Sequence, residues 1–198
     1  MLVLAADTSL PILSVALLND DALIGALALQ GSGSRNEKLL PSVDWLLTEN
    51  GVDRREVELF AVTRGPGSFT GVRIGLATLQ GLALVLGRPV CTMSTHEAIA
   101  HDEPGLVTIV DDAGRGEFYV SSFEDGRETV APHLGVLPES GRVIRVADFL
   151  QHQNVAVRCA RRALEIEQRG EGERHRDVTP IYVRLAEAEV KLQQKKNA

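Results

Sequence analysis

The sequence predicts a mixed α/β fold, and three of its features lead to that class. Short apolar runs open the chain at residues 2–6, 12–18 and 22–30, and the polar turns between them are typical of neighbouring antiparallel strands. Helical and strand patterns then alternate between residues 37 and 101, which predicts helices packed in layers on a sheet. A strand, an acidic turn and a hairpin recur near the middle of the chain, which indicates that one α/β unit is duplicated.

The first helix is predicted over 37–50, after a loop from Gly31 to Asn36. Its apolar residues recur at helical spacing, and Gly51 ends it in the usual C-terminal position. These apolar residues are Leu39, Leu40, Val43, Leu46 and Leu47. The first unit continues with predicted strands at 58–63 and 89–92 and predicted helices at 72–86 and 95–101.

The second unit is predicted from the internal repeat. When the chain is aligned with itself so that Asp7 falls on Asp112, the strand at 2–6 falls on 107–111. This alignment places the domain boundary so that the two domains span 1–103 and 104–198. The later elements of the second unit are a strand near 127–131, a helix at 146–153, a strand at 154–158, a helix at 160–168, a loop at 169–176 and a helical tail from Leu185 to Asn197.

The composition is that of a globular protein, and it argues against several classes of function. A net charge of −6 argues against a protein that binds nucleic acid alone through a basic face. Cys91 and Cys159 match no metal or redox spacing, so they are expected to be small core residues in a reducing compartment. The first apolar run is too short for a signal peptide, and no later run suggests a membrane span. We therefore expect a cytoplasmic protein.

The segment from Gly65 to Gly75 is the most informative in the chain, because a glycine-rich turn between a strand and a helix can cradle a phosphate. It lacks the Gly-Lys-Ser/Thr of a P-loop, the Gly-x-Ser-x-Gly of a nucleophile elbow and the spacing of a dinucleotide fingerprint. The alternative is a purely structural turn that packs a helix closely on a sheet.

A candidate phosphate loop combines this turn with the polar residues that follow the first strand. An acidic side chain and hydroxyl groups at that place could position a metal or a phosphate, as they do in phosphoryl-transfer folds. The alternative is a turn whose side chains cap their own backbone, and it is favoured because no second acid stands at a catalytic position. The residues concerned are Asp7, Thr8, Ser9, Gly65, Gly67, Ser68 and Thr70.

The segment from His96 to His101 is similar to a zinc-binding helix but is one residue too long. A helix needs its two histidines four residues apart to bring both to one face, and a spacing of five turns the second away. We therefore predict no metal site at these histidines.

The predicted helix at 72–86 is apolar on almost every side, with only Arg73, Thr78 and Gln80 interrupting it. Such a helix must be covered on more than one face. A partner protein could cover the face turned away from the sheet. The alternative is burial between the two halves of the same chain.

Several short segments carry a family resemblance, and the Gly65–Gly75 segment is the most specific of them. The other segments are Leu4–Ser9, Leu39-Leu40-Pro41, Ser94-Thr95 with Glu97, Asp112 with Glu117-Phe118-Tyr119, and Pro180–Arg184. Together they resemble the TsaB (YeaZ) family, which acts in bacterial threonylcarbamoyladenosine modification of tRNA. The resemblance is close over residues 1–123 and looser beyond.

The resemblance implies an actin-like fold of two ribonuclease-H-like units, the second one reduced. It implies a non-catalytic scaffold that pairs with a catalytic TsaD subunit to modify the adenosine next to the anticodon of ANN-decoding tRNAs. A TsaE-like ATPase, tRNA within the complex and ATP or ADP at the assembled interface are implied as further partners, with no cofactor bound by this chain alone. The phosphate loop would then be a vestige.

The expected partner interface lies on the two helices of the first unit, and a homodimer through the same helices is a second expectation. The interface residues are Leu39, Val43, Leu46, Leu47, Arg73, Leu76, Leu79, Gln80 and Ala83. Arg35 stands where many relatives have His, and Asp111–Arg115 departs from the family's usual Asp-Ala-Arg. Two other functions stay open: an independent actin-like ATP-dependent phosphotransferase, and a peptidase, against which the lack of a metal or nucleophile motif argues.

Overall fold

The computed structural model describes residues 1–30 and 35–184. Most of the loop predicted at 31–36 and all of the tail predicted from Leu185 to Asn197 lie outside the described residues. The side chain of Arg35 is also outside them.

The first unit is a five-stranded sheet with three helices. Its strands are β1 (Leu2–Asp7), β2 (Leu13–Asn19), β3 (Ala22–Leu29), β4 (Leu59–Thr63) and β5 (Val90–Met93). Its helices are α1 (Arg35–Glu49), α2 (Phe69–Leu86) and α3 (Thr95–Ala100). The strand order is β3-β2-β1-β4-β5, in which the first three strands are antiparallel and β4 and β5 extend the sheet in parallel.

The second unit repeats this order in a shorter form. Its strands are β6 (Leu106–Gly114), β7 (Glu117–Glu124), β8 (Arg127–Gly135) and β9 (Val143–Arg145), and its helices are α4 (Val146–Phe149) and α5 (Val155–Gln168). The order β8-β7-β6-β9 and the antiparallel and parallel pairings match those of β3-β2-β1-β4. Residues 136–142 join β8 to β9 without a helix, whereas α1 lies between β3 and β4. The predicted duplication with a reduced second unit is confirmed.

The central strand β1 is buried on both faces, which explains its uninterrupted apolar run. Leu4 and Ala6 face the core formed with α1 and α2, and Val3 and Ala5 face the core formed with α5. Because α5 comes from the second unit, the two units share the core on that face of β1. Each sheet lies on its own side of the boundary predicted at residue 103.

The strand predicted at 154–158 is wrong, because these residues begin helix α5. The Asn154 side chain caps the helix by accepting a hydrogen bond from the Val157 amide at 3.2 Å. Buried side chains at Val155, Cys159 and Ala163 then recur at helical spacing. The helix predicted at 146–153 is confined to Val146–Phe149, and the short strand β9 was not predicted.

Candidate functional site

The glycine turn joins β4 to α2 at the carboxyl edge of the first sheet. Ser68 is the N-cap of α2, and its side-chain oxygen accepts a hydrogen bond from the Gly71 amide at 3.2 Å. The Ser68 amide itself donates to the Ser9 carbonyl oxygen at 2.7 Å. These two amides, which a phosphate would use, are therefore already bonded within the protein.

The turn lies directly against the segment that follows β1. The Thr8 hydroxyl donates to the Gly71 carbonyl oxygen at 2.6 Å. A Cβ atom on Gly71 would lie 2.0 Å from the Thr8 carbonyl oxygen, and one on Gly67 would lie 2.5 Å from the Ser9 carbonyl oxygen. The glycines thus allow two backbone segments to touch at the position where a phosphate-binding turn would leave space. Thr70 is exposed beside this contact.

Asp7 is fully buried beneath this contact, at the end of β1. Its Oδ1 accepts hydrogen bonds from the Ser9 hydroxyl at 2.6 Å and from the Thr63 hydroxyl at 2.5 Å. The Ser9 hydroxyl also bonds the Thr95 hydroxyl at 2.8 Å. Burial raises the pKa of the Asp7 carboxyl, against the opposing effect of these hydrogen bonds. Protein groups therefore hold Oδ1 inward, whereas the buried Oδ2 has no hydrogen-bond partner among the described residues.

A cleft of about 490 Å³ lies between the two units beside the turn. Asp111 and Asp112 lie near the C-terminal end of β6, and the internal repeat aligns Asp112 with Asp7 of the first unit. Burial, with smaller effects from the charges of Asp112 and Asp7, raises the pKa of Asp111 to about 6. The other lining residues are Ser9, Pro11, Gly67, Ser68, Ala113, Gly114 and Tyr119, none of which carries a positive charge. The charge on the cleft wall is therefore the negative charge of Asp111 and Asp112, which would repel a phosphate.

The outer surface of α1 and α2 is the second candidate site, and the structure corrects the residues predicted to line it. Seven of the nine are buried, with at most 6% of the side chain exposed, because they face the sheet at helical spacing. They are Leu39, Val43, Leu46, Leu47, Leu76, Leu79 and Ala83. Arg73 and Gln80 are exposed. That the two helices form a partner interface stays a prediction.

Other apolar side chains take the exposed positions. Leu84 and Val85 on α2 are 81% and 85% exposed, and Leu40 and Trp45 on α1 are 50% and 52% exposed. Together with Ala77 and Gly81 on α2, these residues form what we call the outer helix face. Helix periodicity could have separated the two faces of α1, but not those of α2, where both faces are apolar.

Helix α2 is not buried between the two units, so the alternative considered for it is wrong. It lies on the outer side of the first sheet, and 33% of its residues are buried. Its 18 residues and mean hydropathy of 1.5 meet the length and composition of a membrane span, but its buried side packs on β4 and β1 as a core helix does. One apolar side of α2 therefore belongs to the core and the other is uncovered in the described chain.

A groove of about 420 Å³ separates α1 from α2 on this surface. Leu40 and Pro41 of α1 and Leu82 and Leu86 of α2 form its apolar walls. The exposed Asp44 and Arg54 approach each other to 3.7 Å beside it. The groove can accept an apolar side chain from outside the chain.

His96 and His101 point into different surroundings. His96 is fully buried, and its Nδ1 lies 2.6 Å from the Ser121 hydroxyl of β7. His101 lies between acidic groups, with its Nε2 3.3 Å from the Asp102 carboxylate and its Nδ1 3.6 Å from the Glu165 carboxylate. The pair therefore shares no ligand position, as the spacing indicates.

Burial lowers the pKa of His96 from 6.5 to about 3, so the folded protein holds this ring neutral. The unfolded chain binds the proton more readily, and the free energy of unfolding should fall as the pH drops below about 6.5. We expect His96 to account for a loss of about 2 kcal/mol between pH 7 and pH 5. Urea denaturation of the protein and of a His96→Gln variant at both pH values measures it. Equal pH dependence in the two would contradict the prediction.

The fold and the closed turn define a class: an actin-like α/β protein of two ribonuclease-H-like units, in which the phosphate-loop position is filled by the chain itself. Comparison with known proteins supports the fold. The family model for TsaD, described as tRNA N6-adenosine threonylcarbamoyltransferase, matches residues 32–167.

Named relatives narrow the family further. The tRNA threonylcarbamoyladenosine biosynthesis protein TsaB of Bacillus subtilis is 29% identical, over 96% of this chain and 97% of that protein. TsaB of Escherichia coli is 36% identical, over 63% of this chain and 55% of that protein. A crystal structure of a Pseudomonas aeruginosa protein with similarity to peptidase YeaZ has a TM-score of 0.75 at 28% identity, covering 92% of this chain and 99% of that chain. The chain belongs to the TsaD family, and its similarity within that family is to TsaB (YeaZ) proteins.

Proposed function

We propose that this protein is a non-catalytic subunit of the complex that adds threonylcarbamoyl to tRNA, and that it binds a TsaD-like catalytic subunit through the outer helix face. The observation that carries the proposal is the pair Leu84 and Val85, which are 81% and 85% exposed on a helix whose other side is core. Contiguous apolar surface of this kind marks interaction sites in soluble proteins. The similarity to TsaB proteins supplies the pathway.

The state of the glycine turn supports the proposed non-catalytic role. The Ser68 amide is bonded to the Ser9 carbonyl oxygen, the Gly71 amide to the Ser68 hydroxyl, and Oδ1 of the buried Asp7 to two hydroxyl groups. None of these groups can approach a substrate without breaking the packing between α2 and β1. A TsaE-like ATPase, tRNA and a nucleotide at the assembled interface are the further components that we propose for the complex, which would be cytoplasmic. The same apolar face could also pair two copies of this chain.

An ATP-dependent phosphotransferase is the second candidate, and one observation favours it. Asp111 lines the interunit cleft, and the buried Asp7 is near enough for its charge to act on Asp111; an actin-like phosphotransferase would use acidic groups at such a place. The closed turn and the acidic wall oppose it. A peptidase would need an exposed nucleophile beside a base. Ser121 and His96 are in contact in the described chain, but both are fully buried and cannot reach a substrate.

One experiment separates these functions. The chain is mixed with the cognate TsaD-like and TsaE-like subunits, ATP, tRNA and a threonylcarbamoyl donor, and modified adenosine is scored with and without the chain. We expect modification to need the chain and Asp7→Asn to support it as well as the unchanged protein does. A phosphotransferase would instead hydrolyse or transfer from ATP when purified alone and lose that activity in Asp7→Asn. Modification that proceeds equally without the chain would overturn the proposal.

A further inference from the structure

Arg73 is held in one orientation at the N-terminal end of the outer helix face. Its guanidinium carbon lies 3.8 Å from the centre of the Phe69 ring, and its Nε donates a hydrogen bond to the Tyr182 hydroxyl at 2.6 Å. The Phe69 and Tyr182 rings are themselves stacked, with centroids 4.7 Å apart. Stacking and the hydrogen bond together orient the plane of the guanidinium.

Tyr182 is itself fixed by the chain that precedes it. The Ile181 amide donates to the Arg64 carbonyl oxygen at 2.7 Å, and the Arg64 guanidinium bonds the Asp177 carboxylate at 3.0 Å. A Cβ atom on Gly65 would lie 3.0 Å from the Ile181 carbonyl oxygen, so this segment rests directly on the glycine turn. The segment that carries Tyr182 is therefore held against the glycine turn, which fixes the position of the hydroxyl that Arg73 bonds.

The charge of Arg73 is unbalanced within its helix. It is the only charged residue of α2, and the first turn of the helix carries no acidic group. An arginine near a helix N-terminus gains nothing from the helix dipole, which favours acidic groups there. Among the described residues, the side-chain contacts of Arg73 are with Phe69 and Tyr182, neither of which carries a carboxylate. With Nε donating to Tyr182, the outward pair Nη1 and Nη2 is left for a planar acceptor.

Arg73 also lies on the exposed side of α2, where Ala77 and Leu84 of the outer helix face are found. These two residues and the polar Gln80 follow Arg73 at helical intervals, and all three are exposed. A group that covers Leu84 and Ala77 would also cover Arg73. The guanidinium would then be removed from water, and burial without a counter-charge would cost several kcal/mol.

We infer that Arg73 is a preorganised receptor for a carboxylate of the partner, an aspartate or glutamate side chain that pairs end-on with Nη1 and Nη2. The inference rests on the proposed function, because it names the chemistry that the TsaD-like partner presents to the outer helix face. A tRNA phosphate would also suit a guanidinium. The apolar surroundings of Arg73 on α2 and the net charge of −6 favour a protein carboxylate.

The test compares dissociation constants for the cognate TsaD-like subunit at low and high salt. Arg73→Gln should weaken binding at least about tenfold, and Arg73→Lys about fivefold, because lysine keeps the charge but cannot form the planar pair. Tyr182→Phe, which keeps the ring stack and removes the hydrogen bond, should weaken it about threefold. Arg127→Gln, at an exposed arginine on β8, is the matched control and should bind normally. The difference between Arg73 and its variants should shrink as salt is raised.

Each outcome decides a separate point. If the unchanged protein, Arg73→Lys and Arg73→Gln all bind equally well, the inference that Arg73 binds a partner carboxylate is overturned, while the proposed interface stays in place. A loss of tRNA affinity in Arg73→Gln with unchanged binding to the TsaD-like subunit would assign Arg73 to a phosphate instead. Absence of binding by the unchanged protein would overturn the proposed function itself. Thermal denaturation of every variant shows that the fold is retained.

Discussion

The double substitution Leu84→Glu and Val85→Glu is expected to abolish binding to the TsaD-like subunit, raising the dissociation constant more than about 100-fold. Both side chains are more than four-fifths exposed, so they contribute almost nothing to the core of the first unit. In a complex they would each contribute about 1.5–3 kcal/mol by burial, and a carboxylate in their place would be desolvated without a partner. Isothermal titration calorimetry with the purified subunits measures the change.

The matched control for this substitution is Val136→Glu in the second unit. Val136 is 81% exposed, as Leu84 is, but lies in the connection between β8 and β9. We expect Val136→Glu to bind normally and both variants to melt at the temperature of the unchanged protein. Normal binding by the double variant would place the interface elsewhere. Size-exclusion chromatography of the chain alone shows whether the same face also holds a homodimer.

Gly71→Ala is expected to lower the free energy of unfolding by about 3–5 kcal/mol, which is large for the addition of one methyl group. The new Cβ would lie 2.0 Å from the Thr8 carbonyl oxygen, so α2 or the segment after β1 would have to move. That movement would also break the hydrogen bond from the Thr8 hydroxyl to the Gly71 carbonyl oxygen. Urea denaturation at pH 7 measures the loss.

Gly81→Ala on the same helix is the control for Gly71→Ala. A Cβ on Gly81 meets nothing within 4 Å, so the added methyl group should cause no strain. Because alanine restricts the unfolded chain and favours the helix, we expect this variant to be more stable by about 0.5–1 kcal/mol. If Gly71→Ala were as stable as Gly81→Ala, the close contact between α2 and β1 would not be what the glycine provides.

Much of the fold could be predicted from the sequence, because its elements differ in hydrophobic period. β1 reads as one apolar run since both of its faces are buried, and α1 shows a clear apolar stripe. The start of α5 could not be predicted in this way. Val155, Ala156 and Val157 read equally well as a strand, and the helix depends on packing against β1 and β2 and on the Asn154 cap.

The candidate site was predicted as a pair of helices but not as a set of residues. On α2 nearly every side chain is apolar, so the hydrophobic pattern does not distinguish Leu79 in the core from Leu84 in water. The role that we infer for Arg73 could not be predicted from the sequence either, since Phe69 and Tyr182, which orient it, are far apart along the chain. Only long-range contacts bring the three side chains together.

By itself, the sequence determined the class of the fold, the duplication, the two helices of the candidate interface and the absence of a P-loop at the glycine turn. These features depend on local period and on glycine placement, both of which are read along the chain. The tertiary structure decided which side of α2 meets water and whether the turn has space for a phosphate. It placed the Thr8 and Ser9 carbonyl groups against Gly71 and Gly67. The contact that fills the phosphate position joins two segments that only the folded sheet brings together.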